Sequence, residues 1–336
     1  MSLIRNHPAI RLVTPKHLDE GGSSNHPWDD RENILRLSSL RPRIEQRAEI
    51  VFAVREFFRR SGFTEVTTPV RISAPAPELH INAIQSGDSF LRTSPELEMK
   101  CMLAAGYGKI FQIGPCFRKN EIGRLHREEF TMLEWYEAGA DCHKLIPFTR
   151  EMLEFVSRKV SGKSECLFNG ASIDFGKHEI ISLASAFAKF AKKDLLEIAD
   201  DGRFEEILVD MVEPALPKGL PVFLYGYPAK FAALSKLSGD NPGFAERWEL
   251  YLGGIEIANA YSELVDKDEQ LRRFEEALLK KKEAGETVYP ENRLFTEALE
   301  HGIPECAGCA LGLDRLVMVL AGSESLDQVM PLLSPG

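Results

Sequence analysis

The chain has 336 residues, 44% apolar and 27% charged, the balance of a globular protein with room for a large core. It holds no apolar run of about 18 residues that would span a bilayer, and its net charge of −10 argues against a partner held mainly through phosphates and favours a basic protein surface. Six cysteines without a framework spacing imply reduced thiols and a cytoplasmic protein, and the polar, Pro-broken start MSLIRNHPAIRLV does not read as a secretory signal. Residues 1–40 read as an irregular extension, with GGSSNHPWDD as a loop. A helix is predicted over 42–61, opened by Pro42, carried by Ile44, Ala48, Val51, Phe52 and Phe58, and ended by Gly62. A strand from Phe63 to Thr68 follows and stops at Pro69. Lys109 to Arg118 and Phe130 to Glu137 read as strands around the charged loop KNEIGRLHREE. Helices are expected at 145–160, 180–198, 203–213 and 266–284. Pro221 to Tyr227 reads as a short apolar strand, and Glu249 to Leu264 as two strands about Gly253–Gly254. CAGCALGLDRLVMVLAG reads as a small-residue strand running into an apolar helix. Strands and helices do not alternate regularly, which favours an α+β architecture with an antiparallel sheet of about six or seven strands over a doubly wound one. No internal repeat, P-loop or dinucleotide fingerprint is present.

Three constellations suit chemistry. Period-2 alternation puts Phe130, Met132, Glu134 and Tyr136 on one strand face, a carboxylate beside rings that suits a cation and a flat base. The loop before them, of about eleven residues, is long for a hairpin. Its Arg124, His126 and Arg127, with Arg118 ahead of it, suit a polyphosphate. An amphipathic hairpin with a solvated loop would leave the same pattern. In WELYLGGIEIANAYSEL, a two-residue turn at Gly253–Gly254 sets Glu249 opposite Ala258, and Glu256 lies diagonally from Glu249, about 7–8 Å away. Two such acids can share divalent cations that bridge phosphates. Asn259, Tyr261 and Glu263 have the other parity, so one site that uses all of them requires a bulge near Ala258. The alternative is a half-exposed hairpin with surface acids. In GLDRLVMVLAG, Arg315 sits in the first turn of an apolar helix, where a guanidinium and a helix start together suit an anion. A core helix capped by Asp314, with a surface arginine, is the other reading. Cys306-x-x-Cys309 has no second pair at ligand spacing, so zinc is unsupported and both read as core thiols.

Together and in this order, the pieces resemble the class II aminoacyl-tRNA synthetases. Arg41 to Pro69 is similar to motif 1, FQIGPCFRKNEIGRLHREEFTMLEWY to motif 2, and GCALGLDRLVMVLAG to motif 3. TSPELEMK, FTMLEWY and EIANAYSEL resemble the lysyl branch, and the likeness covers about residues 40–333. Only some forty residues precede motif 1, fewer than the anticodon-binding barrel of lysyl-tRNA synthetases. That shorter form resembles the elongation factor P lysyltransferases, in which a lysyl-synthetase-like domain modifies a lysine of elongation factor P.

The resemblance implies a class II synthetase catalytic domain over 41–336, an ATP-dependent ligase, and a motif 1 homodimer. It implies adenylate formation from lysine or (R)-β-lysine with ATP and Mg²⁺, then transfer to elongation factor P, with tRNA an unlikely partner. Arg118 matches the motif 2 arginine on the α-phosphate and substrate carboxylate, and Arg315 the motif 3 arginine on the γ-phosphate. His126 matches a loop histidine near the phosphates and Phe130 the ring under adenine. Glu249 and Glu256 match metal-binding acids. Glu96 and Glu134 match acids at the α-amino end of the substrate. Tyr136, Asn259 and Glu263 match pocket groups, with Glu263 facing the distal ammonium. Asn120 stands among the ATP contacts where the family has Glu, and Arg127 where it has Asn. Ala310 stands where lysyl-tRNA synthetases carry Gly, a methyl that would reshape the pocket for (R)-β-lysine. A truncated lysyl-tRNA synthetase and a non-catalytic synthetase-like regulator are the competing readings.

Overall fold

The computed structural model describes residues 30–331. Helix α1 (Asp30–Arg60) is followed by short strands β1 (Thr64–Glu65), β2 (Arg71–Ile72), β3 (Gln85–Ser86) and β4 (Ser89–Leu91). Helix α2 (Glu96–Ala104) leads into the long pair β5 (Lys109–Phe117) and β6 (Glu129–Ala138), then α3 (Cys142–Ser161), β7 (Glu165–Phe168), β8 (Ala171–Asp174) and β9 (Glu179–Ser182). A helical stretch holds α4 (Leu183–Ala186), α5 (Leu195–Asp201) and α6 (Phe204–Ile207), with π-turns at Phe187–Ala191 and Leu208–Val212. The rest is β10 (Val222–Pro228), β11 (Phe244–Leu252), β12 (Ile255–Ser262), α7 (Lys267–Glu283), α8 (Arg293–His301), β13 (Cys306–Gly312) and α9 (Leu313–Leu320). The chain divides into residues 1–39 and a compact body from Leu40 on, which carries the sheet and the site.

The main sheet has eight strands in the order β1-β5-β6-β13-β12-β11-β10-β9. From β5 through β10 all neighbours are antiparallel, whereas β1 and β9 join the edges in parallel. The expected six or seven antiparallel strands are therefore corrected to eight with parallel edges. The helical stretch between β9 and β10 is long enough for the crossover that a parallel pair needs. It also corrects the helix expected over 180–198. EIIS pairs with β10 as β9, Ser182 then caps α4 through Ser185 N–H, and Lys192 breaks the helix in a left-handed conformation (φ 56°). The strand expected from Phe63 to Thr68 pairs only at Thr64 and Glu65. Beyond it the extended chain is held by side chains: Thr68 N–H donates to Gln112 Oε1 (2.7 Å), and Arg92 Nη1 donates to Thr68 O (3.0 Å).

Residues 1–29 of the expected irregular extension lie outside the described residues. Residues 30–40 are helical, because α1 starts at Asp30 and carries Pro42 within it rather than at its first turn. Pro42 removes one backbone donor and sits at an exposed position, where the freed carbonyl can meet water. Inward, α1 places Ile50, Ala53, Val54 and Phe58 in the core, with Phe58 stacked on Phe111 (4.7 Å between centroids).

Alternation along the strands divides the sheet into two chemically different faces. Phe111, Leu133, Trp135, Trp248, Leu250, Ala258, Cys309 and Leu311 are buried in the core cluster that includes side chains of α1, α3 and α9. The opposite parity presents Gln112, Glu134, Tyr136, Ala310, Asn259 and Glu249. Residues around α2 and α8 cover one end of that polar face, and the helical stretch after β9 covers the other. The region between them is open.

The β11–β12 hairpin turns at Gly253 and Gly254, both at positive φ (59° and 84°), where a side chain would be strained. Its register differs from that of a plain hairpin. Glu249 pairs with Asn259 rather than Ala258, Tyr251 pairs with Glu256, and the shift between them leaves Ile257 as a bulge. The bulge puts Glu249, Glu256, Asn259 and Tyr261 on one face, as a common site requires.

Candidate active site

A cavity of about 940 Å³ lies over the polar face. It is lined by Glu96, Arg118, His126, Phe130, Glu134, Tyr136, Glu256, Asn259, Glu263, Ala310 and Arg315. Two expected residues are outside its wall. Asn120 is exposed, with left-handed backbone (φ 66°) and an N–H that donates to Glu128 Oε1 (2.7 Å), and it does not line the cavity. Glu249 lies beneath the wall, where its two oxygens accept from Arg247 Nη2 (2.6 Å) and Tyr251 OH (2.8 Å).

One end of the cavity is acidic. Glu263 is 1% exposed and its Oε2 lies 2.5 Å from Lys100 Nζ, which also bonds Glu96 Oε1 at 2.7 Å. Burial works against the Lys100 charge, but Glu263 and Glu96 outweigh it and hold the ammonium above its ordinary range. Tyr136 OH donates to Glu134 Oε1 (2.6 Å), while Glu134 Oε2 is buried without a hydrogen-bond partner among the described residues. Burial, and then the charge of Glu96, raises Glu134 well above the carboxylate range. Burial likewise pushes Glu263 up to about 8, more than Lys100 offsets. Three carboxyls therefore face one ammonium, which among the described residues bonds only Glu96 and Glu263, an arrangement that favours an incoming cation. Sequence reasoning did not single out Lys100, although an i,i+4 pair with Glu96 on α2 was its visible signal. It also missed Gly308, which forms the floor between Tyr136 and Glu263. A Cβ there would lie 2.2 Å from Tyr136 Cε1 and 2.5 Å from Glu263 Oε1.

The other end is basic and aromatic. Arg118 lies over the Phe130 ring (5.2 Å to the centroid), with its Nε buried and unpartnered among the described residues. Arg315 donates from Nε to Leu125 O (3.2 Å) and from Nη1 to Glu256 O (2.9 Å), and its Nη2 meets His126 Nε2 (2.7 Å). Burial and then the Arg315 charge lower the His126 pKa, which keeps the imidazole neutral and able to accept there. Arg127 pairs with Asp327, and Arg124 Nη1 donates to Glu324 O (2.6 Å), so these two loop arginines fasten the loop to the chain after α9. Asp314 does not cap α9, whose cap position is Gly312. Its oxygens instead meet Arg47 Nη2 of α1 (2.5 Å) and Thr131 N–H of β6 (2.6 Å), tying the three motif segments together.

Between the ends, Glu256 carries a carboxyl raised by burial and then by Glu249. Among the described residues no group of three or more His, Cys, Asp or Glu is arranged to hold a metal by protein ligands alone. All six cysteines are free, Cys306 and Cys309 included. No helix among the described residues is long and apolar enough to cross a membrane.

The cavity thus brings together two arginines and an aromatic ring at one end and buried carboxyls at the other. The family model of the tRNA synthetases class II (D, K and N) matches residues 28–333. The chain is 37% identical over 303 residues to the elongation factor P–(R)-beta-lysine ligase of Vibrio parahaemolyticus, covering 85% of this chain and 94% of that one. It is 37% identical over 322 residues to the ligase of the same name from Vibrio cholerae, covering 91% and 97%. For the Yersinia enterocolitica ligase the identity is 36% over 304 residues, covering 85% and 93%. The chain belongs to the class II tRNA synthetases of the D, K and N type, in the branch of the elongation factor P–(R)-beta-lysine ligases.

Proposed function

We propose that the chain activates (R)-β-lysine, or lysine, as an adenylate and transfers it to a lysine side chain of elongation factor P. The observation that carries this reading is the polarity of the cavity: buried Glu96, Glu134 and Glu263 at one end, Arg118 and Arg315 at the other. A diamino acid joined to a nucleotide has the complementary charges. In the first step the substrate carboxylate attacks the α-phosphate and pyrophosphate leaves. Arg118 and Arg315 offset the negative charge that develops, fixed in place before the reaction begins. Glu263 and Tyr136 hold the distal end of the substrate, and Glu96 and Glu134 the end nearer the carboxylate. In the second step the acceptor amine attacks the adenylate carbonyl, an amide forms and AMP leaves. Of the two expected metal acids, Glu256 faces the cavity and would hold Mg²⁺, which takes only one or two carboxylates beside phosphates and water, whereas Glu249 would first have to release Arg247 or Tyr251. When bound, the ion would supply charge neutralisation on the ATP phosphates. Pyrophosphate exchange that depends on (R)-β-lysine or lysine tests the reading, and exchange with neither would refute it.

The acids give this reaction a pH signature. Glu263, pushed up to about 8, is largely protonated near neutrality in the free pocket, and an entering ammonium needs it ionised. Raising the pH through about 8 removes that proton beforehand, so KM for the diamino acid should fall as the pH approaches 8 and level off above it. A KM that stays flat through that rise would contradict the protonated pocket.

Ala310 sits between Asn259 and Glu134 in the sheet, so its methyl borders the acidic end. Ala310→Gly should shift preference from (R)-β-lysine toward lysine by roughly 10–200-fold, the effect of about one methyl in a pocket. An unchanged ratio of the two kcat/KM values would remove Ala310 from the selection.

The dimer expectation needs one adjustment. Much of the apolar face of 44–58 is spent on the chain's own core, which leaves Ala48 and Phe52, the latter 60% exposed, facing outward from α1. Sedimentation at micromolar concentration should give twice the chain mass, and a monomer would contradict the proposed interface.

A further inference from the structure

We propose that Gln270 on α7 is a specificity-determining residue, receiving the distal ammonium of the diamino acid on its side-chain amide oxygen. The first turns of α7 are fastened at the Glu263 end of the cavity. Arg273 Nη1 donates to Ser235 O and Ala233 O (both 2.9 Å), and Ser235 forms a bridge with Glu263. Phe274 packs against the cluster that holds Tyr136 and Leu234, so the same helical face that carries Gln270 closes over the acidic pocket. Gln270 lines the cavity and is 0% exposed, yet neither its amide oxygen nor its amide nitrogen has a hydrogen-bond partner among the described residues. Buried amides are nearly always partnered, and an apolar side chain of the same length would fill this place without that cost. The chemistry of the substrate supplies the missing partner. A primary ammonium has three N–H donors. Glu263 shares its carboxylate with Lys100 and cannot satisfy all of them. A neutral carbonyl on the facing helix completes the set without adding a fourth charge to an already acidic pocket. A substrate lacking the distal amine would leave the amide orphaned, so the same group selects against it.

This inference rests on the lysyl reading above, and the experiment separates the two. Pyrophosphate exchange is measured for the wild type, Gln270→Leu and Gln270→Met. The substrates are (R)-β-lysine, lysine, and the corresponding acids without the distal amine (3-aminohexanoate and norleucine). For Gln270→Leu, KM for the diamino acids should rise about 10- to 100-fold, with KM for ATP and KM for the desamino acids changed by less than about twofold. The melting temperature should stay the same or rise, because an unpartnered buried amide has been removed. Gln270→Met repeats the test with an unbranched side chain should leucine pack badly. A wild type that exchanges with neither diamino acid overturns the lysyl reading and this one with it. A wild type that does exchange, with variants whose KM for the diamino acids changes less than about twofold, overturns the role of Gln270 alone. An equal penalty on diamino and desamino acids would also overturn it, since that is what a purely structural role of α7 predicts.

Discussion

Glu263→Gln should lower kcat/KM for the diamino acid by roughly 10²–10³-fold while leaving ATP binding nearly untouched, because breaking a buried charge pair costs about 3–5 kcal/mol. The carboxyl is 1% exposed at the acidic end, beside the start of β13, whereas Arg315 follows the far end of that strand. Its removal would take away the carboxylate proposed to meet the distal ammonium as it leaves water. It also removes one partner of Lys100, which keeps Glu96 at 2.7 Å and so remains paired within α2. The variant should therefore fold, with lower stability, and the two effects separate in the laboratory. Thermal melting reports the loss at Lys100, and the KM for ATP against that for the diamino acid reports the site. Near-normal kcat/KM for the diamino acid would remove Glu263 from the substrate pocket even though the fold is unchanged.

Gly308→Ala should be as damaging for a steric reason. The added Cβ would lie 2.2 Å from the Tyr136 ring and 2.5 Å from Glu263 Oε1, and strand β13 is held between β12 and β6, so its backbone has little freedom to retreat. Tyr136 is 2% exposed and its hydroxyl is tied to Glu134, so the ring cannot swing aside without breaking that bond. The methyl must displace Tyr136, Glu263 or both into the space the substrate's side chain would use. Overpacking of this kind costs about 1–3 kcal/mol in stability. The effect on the diamino acid should be larger, at least about 10²-fold in kcat/KM, because at least one pocket group is pushed out of its place. Binding of ATP measured alone should survive. Wild-type kinetics in Gly308→Ala would mean that the substrate does not use the floor between Tyr136 and Glu263.

These two residues mark where the sequence was legible and where it was not. Glu263 stood out because NAYSEL resembles a known pattern, and its parity required a bulge in β12, which the register places at Ile257. The β5–β6 pair, the Gly253–Gly254 turn and the β13–α9 junction were legible for a local reason: each depends on alternation or turn chemistry within a few residues. Gly308 was not legible, because its constraint comes from Tyr136 and Glu263, far away in the chain. Lys100 was hidden in the same way, since its deciding partner lies across the fold. The early start of α1 was masked by Pro42, which reads as a helix opening whenever the preceding turns lack an apolar stripe. EIIS was absorbed into a neighbouring helix because a short apolar run has no period of its own, and only pairing with β10 makes it a strand. Gln270 lay in a helix that was expected, but its lack of a partner is a property of three-dimensional packing alone.

The most direct test of the central claim is to weigh the acceptor. Purified enzyme would be incubated with ATP and (R)-β-lysine in the presence of both unmodified elongation factor P and total tRNA, and intact masses of the two acceptors recorded. The account predicts that elongation factor P gains the mass of one β-lysyl group on a single lysine, in amide linkage stable to mild base, while tRNA stays uncharged. Aminoacylated tRNA beside unmodified elongation factor P would contradict it.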